Sequence, residues 1–189
     1  MVNNFDALKT LLRFDLGIHT IQIIQRSKDG ANKSSKTVAE WNVTSENQFD
    51  FLSVGIISLC NEYNARAYLN LNPKKDEVVL YKVLELAVDK VKNKEYRPLN
   101  LLSSALGNCH GNSWKVWVLD IDEKDVDLEL LQNRVDQCQS GYTTNIITTI
   151  LTKNGWHVLT VPFNLQQLNR DGLPDFEIKK NAPTLLYCP

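Results

Sequence analysis

The stretch WKVWVLDID, residues 114–122, decides how this chain reads. Val116, Trp117, Val118 and Leu119 make an apolar run of strand-favouring residues that ends in Asp120-Ile121-Asp122. The run predicts a buried strand with an acidic tip. Strand side chains alternate with period two, so Asp120 and Asp122 leave the same face, close enough to share one hard divalent cation. A strand held in a core is a rigid support for such a pair. The same residues also read as a strand that runs out into a solvated acidic turn, continued by Glu123, Asp125 and Asp127.

Working outward toward the C-terminus, KDVDLELLQNRVDQCQ places Val126, Leu130, Leu131 and Val135 on one helical face. Residues 145–152 (NIITTILT) and 156–163 (WHVLTVPF) then form a predicted hairpin turning through Lys153-Asn154-Gly155. A loop through Gly172-Leu173-Pro174 leads to a short final strand, PTLLYC. Toward the N-terminus, residues 5–12 read as a short helix, and residues 18–25 and 37–43 as strands. They are joined by the polar loop 26–36 with its Asp29-Gly30 turn signal. Thr44-Ser45-Glu46 starts a helix that runs to about Asn64. Residues 65–72 form a strand, a lysine-bearing helix follows Pro73, and a shorter helical piece at 99–106 ends at Gly107.

This order predicts an α+β fold: a mostly antiparallel, mixed sheet with packed helices, whose C-terminal half is an RRM-like, split β-α-β arrangement. One α/β domain spans 1–189, with an N-terminal α/β half (1–107) and a candidate metal- and nucleotide-site half (108–189). At 189 residues the chain is long enough to bury a core without staples. Its four cysteines, Cys60, Cys109, Cys138 and Cys188, are scattered and read as reduced thiols. Cys109 and His110 are adjacent but lack zinc-ligand spacing. The segment MVNNFDALKTLLRFDL is broken by Asp6, Arg13 and Asp15 and does not read as a secretion signal; no apolar run approaches a bilayer span. A cytoplasmic protein without a membrane partner is expected.

With 21 basic against 22 acidic side chains, no overall electrostatic drive toward nucleic acid exists, although a near-neutral sum can hide separated patches. His157, two residues past Gly155, is placed to meet a phosphate beside the amides of the turn. By itself it reads more commonly as an exposed or a satisfied core histidine. Arg66, Lys74 and Lys75 form a candidate basic rim, and Arg26, Lys28, Lys33 and Lys36 could close over a nucleic acid from the first hairpin. Each set also reads as an ordinary solvated surface. Trp117 reads as core, and Trp114 as either core or a base-stacking platform.

At these residues the chain resembles the archaeo-eukaryotic primases and primase-polymerases. VWVLDID matches that family's hhDhD strand (h, hydrophobic). Thr152-Lys153-Asn154-Gly155-Trp156-His157 matches its S-x-x-G-x-H signature with Thr for Ser. The resemblance spans about 114–163, more loosely the N-terminal half. It implies catalysis by Asp120, Asp122 and His157, with nucleotide contacts from Thr152, Gly155, His157 and Arg66. It also implies Mg²⁺ or Mn²⁺ held by Asp120, Asp122 and a third acid. Asp175 and Glu177 are the acids available for that role, and Asp175 is the one expected. The implied partners are nucleic acid and nucleoside triphosphates, and a phage or mobile element is the implied source. An inactive nucleic-acid-binding relative fits the same motifs. The alternatives are a non-enzymatic interaction protein that uses the acidic loop and first hairpin, and a metal-dependent nuclease with a histidine general base.

Overall fold

The computed structural model describes residues 1–29, 34–97, 100–109 and 114–189. Gly30, Lys33, Leu99 and His110 therefore lie outside the described residues, and with them the Asp29-Gly30 turn and the Cys109–His110 pair.

The chain opens with β1 (Val2–Asn3) and α1 (Phe5–Lys9), then forms the hairpin of β2 (His19–Gln25) and β3 (Lys36–Val43). α2 (Glu46–Tyr63) begins where the sequence marks it. The Ser45 side chain accepts from the Gln48 amide (3.3 Å), and Gln48 Oε1 accepts from the Thr44 amide (2.9 Å), satisfying two donors at the helix start. It ends at Asn64, whose left-handed φ of 45° closes the last turn. β4 (Arg66–Leu69) follows, then α3 (Asp76–Lys92), with Asp76 and Glu77 in its first turn and Lys90 and Lys92 in its last, matching the helix dipole. α4 (Leu101–Asn108) packs on α3 through Val79, Ala105 and Leu106. The second half supplies β5 (Trp117–Ile121), α5 (Leu128–Asp136, capped by Asp127), β6 (Ile146–Leu151), β7 (Trp156–Thr160), β8 (Glu177–Lys179) and β9 (Thr184–Cys188).

The fold is α+β. In place of one mixed sheet there are two, in the orders β1-β9-β4-β2-β3 and β6-β7-β5-β8, and every ladder between named strands is antiparallel. β5 and β6 both run antiparallel to β7, which lies between them, and α5 connects them. Where an RRM-like unit carries a second helix, this chain has a single 3-10 turn (Leu165–Gln167) and coil, so the likeness holds at the level of an antiparallel α+β unit. β9 leaves the second half and inserts between β1 and β4, so position 107/108 does not separate the sheets. β1 and β8 form in segments that read as coil, and the first and fifth helices are shorter than their apolar periodicity predicts.

The two sheets share one core. Val118, Ile150 and Leu159 from the second sheet pack with Ile21, Ile23, Leu69 and Leu186 from the first, and with Phe49 and Ile56 of α2. The opposite face of the second sheet, through Leu119, Ile121 and Val158, packs on Leu131 and Val135 of α5. β5 is thus apolar on both faces because both are covered.

Buried amide side chains join the sheets where the backbone ladders do not. Asn4 Nδ2 donates to Leu151 O (3.0 Å) in β6 and to Leu185 O (2.9 Å) in β9. Asn72, just past β4, accepts from the Val116 amide (2.6 Å) and donates to the Val116 carbonyl (3.1 Å), pairing with the residue before β5 as a neighbouring strand would. Replacing Asn72 with Ala strands both Val116 groups. The expected outcome is a loss of about 2–3 kcal/mol in unfolding free energy, read as a lower urea midpoint with an unchanged slope.

Candidate active site between the two sheets

The site grows from the β5–β7 ladder. Val118 faces Leu159 and Asp120 faces His157, so two residues along the strand the row changes from core to charge. On its other edge Asp120 faces Glu177 of β8. Residues directly opposite in an antiparallel pair project to one side of the sheet, so His157, Asp120 and Glu177 form one row. Asp122 follows Asp120 on the same side, and Lys179 follows Glu177. The inter-sheet core ends at this row, and a groove of about 820 Å³ opens there.

The groove brings together residues scattered through the sequence. Asp120, Asp122, Asp175, Glu177, Thr152 and His157 line one side; Arg26, Lys28, Arg66 and Tyr68 line the other. Arg66 is buried on β4, and Asp122 and Asp175 are exposed. Lys74 is not part of a rim: it is buried, bridges to Ile18, and donates from Nζ to Cys109 O at 2.8 Å, with burial pushing its pKa down. Lys75 and Lys36 are exposed outside the groove lining. Trp117 packs against Phe163 with ring centroids 5.5 Å apart, and Trp114 meets Tyr142 edge-on; neither lines the groove.

The TKNGWH segment has a structural logic of its own. Thr152 is buried, accepts from the Gly155 amide through its hydroxyl (3.0 Å), and donates its own amide to Gly155 O (2.9 Å), closing the β6–β7 turn. The Gly155 amide is therefore used within the turn. A side chain at Gly155 would place its Cβ 1.9 Å from Ile121 O, so this glycine lets the turn press against the end of β5. Trp156 Nε1 donates to Lys124 O (3.0 Å), fastening the same turn to the loop beyond Asp122.

His157 is the junction of the site. Its Nε2 stands 3.2 Å from Asp120 Oδ1 and its Nδ1 2.8 Å from Thr184 Oγ1, on β9 of the first sheet. A neutral ring that donates from Nε2 to the carboxylate accepts the Thr184 hydroxyl proton at Nδ1. The other Asp120 oxygen, Oδ2, receives the Lys179 ammonium, which also lies 3.4 Å from Glu177 Oε2. The hydrogen bond from His157, then that from Lys179, hold the Asp120 carboxyl well below the usual carboxylate range, against the opposing effect of burial. Burial works against the charge of Lys179, and Asp120 outweighs it, raising the lysine above its ordinary value.

Asp120, Asp122 and Glu177 offer the hard oxygen donors that Mg²⁺ and Mn²⁺ prefer. Glu177, on β8 opposite Asp120, sits on a strand, whereas Asp175 lies in the coil before it. Among the described residues no three His, Cys, Asp or Glu side chains stand grouped at metal-holding spacing. These acids therefore do not stand as a metal-holding group, and the position against Asp120 and Glu177 holds the charge of Lys179. Sequence reasoning missed Lys179 and Thr184. The alternation Glu177-Ile178-Lys179 would have flagged Lys179 had β8 been recognised; nothing local marks Thr184.

Two outcomes test this construction. Gly155→Ala must push the turn off β5 and is expected to cost more than about 2 kcal/mol, measured by chemical denaturation. Asp120 has a lowered folded-state pKa, so its contribution to stability is fully present above the unfolded-state value. That contribution should fade as pH falls below about 4 toward the lowered value. The stability gap between wild type and Asp120→Asn, from thermal melts across pH, is expected to shrink as pH falls below about 4. Compared with protein-family models, curated proteins and solved structures, the chain matches none.

Proposed function

We propose that this chain is a primase-polymerase-like nucleotidyltransferase domain whose inter-sheet groove takes a nucleoside triphosphate and nucleic acid. The observation that carries the reading is the convergence of Asp120, Asp122, His157 and Glu177 in one open groove, facing Arg26, Lys28 and Arg66. Asp120, Asp122 and His157 are the residues that the VWVLDID and TKNGWH motifs supply, and the groove draws on five separated segments.

The basic wall would hold the phosphates and set their direction, since charge-assisted contacts fix orientation without reading bases. The acidic wall would face the reacting end. A bound Mg²⁺ or Mn²⁺ would supply Lewis-acid neutralisation of charge developing at the α-phosphate. His157, fixed by Thr184 behind and Asp120 in front, helps to keep Asp120 ionised. The buried rows beneath exclude water from one side of the groove and strengthen each of these contacts.

A non-enzymatic interaction role has its own supporting feature. Leu80, Tyr81, Leu84, Val88 and Val91 of α3 are all exposed, an apolar stripe away from the groove that a protein partner could cover.

Extension of a primed template with nucleoside triphosphates and Mn²⁺ tests the first reading. Wild type is expected to extend, and Asp120→Ala to lower the rate by at least about 100-fold. Shortening of the template in place of extension supports a nuclease. Absence of any metal-dependent nucleotide binding by the wild-type chain would sink the enzymatic reading.

A further inference from the structure

We propose that the open face of the first sheet holds a nucleobase beside the groove, stacked on Tyr68 and met at its edges by Lys74 and the Gln22–Glu40 pair. The inference rests on the reading of the groove as a nucleotide site. It goes beyond that reading by naming where the base sits and which bases fit.

Ile21, Ile23, Ala67 and Leu69 alternate into the shared core, so Gln22, Arg66 and Tyr68 face the other way. Gln22 stands opposite Glu40 on one neighbour and Tyr68 on the other, which makes Glu40, Gln22 and Tyr68 one row across β3, β2 and β4. A second cavity, of about 130 Å³, lies over this row; the three residues line it with Asn70, Lys74 and Pro183. Tyr68 and Pro183 line the large groove as well, so the cavity continues the groove over the sheet. Tyr68 is half-buried on the central strand of five, an aromatic ring among polar neighbours. A ring in that position offers a flat base a stacking partner.

Lys74 is the residue that asks for a ligand. It is 6% exposed, yet among the described residues its ammonium donates only to Cys109 O (2.8 Å) and pairs with no carboxylate. An ammonium has three protons to place, and a buried one with a single carbonyl is under-satisfied. A ring acceptor in the cavity would take another. On the sheet floor Gln22 Nε2 donates to Glu40 Oε2 (2.7 Å), which leaves Gln22 Oε1 and the second Glu40 oxygen to accept. The cavity thus presents a donor and acceptors, and a base that carries an exocyclic amine beside a ring acceptor satisfies both. Uracil and thymine bring a carbonyl oxygen in place of that amine, and the Glu40 carboxylate disfavours it. Arg66 precedes Tyr68 by two residues, about 7 Å at the strand rise, and lines the groove with Arg26 and Lys28. A sugar bridges that gap, with the base on Tyr68 and the phosphate at Arg66.

Isothermal titration of the full chain with cytidine and uridine monophosphate, in a chelator, reads this without turnover. Wild type is expected to bind the cytidine nucleotide about tenfold more tightly. Glu40→Leu should erase that preference. Tyr68→Ala should weaken cytidine nucleotide binding at least about tenfold, while Tyr68→Phe, which keeps the ring, stays within about threefold of wild type. If Tyr68→Ala does not fold by circular dichroism, Tyr68→Leu is read in its place. Inorganic triphosphate has no base and reports the groove separately; it should bind Tyr68→Ala as it binds wild type. The base pocket is overturned by any of four results: no nucleotide binding, equal affinity for the two nucleotides, a preference that survives Glu40→Leu, or affinity unchanged in Tyr68→Ala. The groove reading stands wherever triphosphate still binds. Absence of triphosphate binding as well overturns both.

Discussion

The register of β7 on β5 is the constraint from which the rest of the site follows. It sets Val118 against Leu159 and Asp120 against His157, so one ladder carries the inter-sheet core and then its charged continuation. Side chains alternate faces, and a slip of β7 by one residue would turn His157 toward α5 and bring its apolar neighbours to the groove beside Asp120. Two features hold the register beyond the hydrophobic pattern. Gly155 brings the β6–β7 turn against the backbone of Ile121 and Glu123 with no room for a side chain, and the Thr152 hydroxyl ties the turn shut from within. The glycine and threonine of TKNGWH are thus explained by backbone approach and turn closure, while Thr152, Asn154 and His157 of the segment line the groove.

Polar groups at the sheet–sheet boundary fix how the sheets meet. Apolar contact is non-directional and would tolerate small rotations of one sheet on the other. Asn4, Asn72 and the His157–Thr184 pair do not, because each satisfies buried donors or acceptors at one relative position. The last of these joins structure to chemistry. Thr184 belongs to β9, between β1 and β4, so the C-terminal strand of the chain positions the imidazole that braces Asp120.

Much of this was legible in the sequence, for reasons that can be named. The buried strand before Asp120, the hairpin closing at Gly155, the capped start at Ser45 and the strand–loop–strand at 18–43 all rest on local chemistry, and local chemistry is what a sequence displays. The candidate residues were legible too, since Asp120, Asp122, Thr152, His157 and Arg66 do line one groove. What escaped was non-local. β8 is three residues long, with one apolar position between two charges, too short for a periodic signal. The insertion of β9 into the first sheet depends on where the chain has already been. Lys74 looked like a surface charge because a lysine at a helix start usually is one; only the fold reveals that its ammonium reaches the Cys109 carbonyl.

The net charge of −1 hides a sorting of charges by sheet. Acids gather on β5, β8 and the segment between them, while Arg26, Lys28 and Arg66 come from the first hairpin and β4, across the groove. Each wall alone would raise the local potential and destabilise itself by self-repulsion. The second sheet meets this with Lys179, a cation placed within its own acidic row. That placement has a consequence for the row itself: with Lys179 between Asp120 and Glu177, and His157 on the other Asp120 oxygen, the acidic wall is held by partners from its own sheet and does not depend on the cations across the groove.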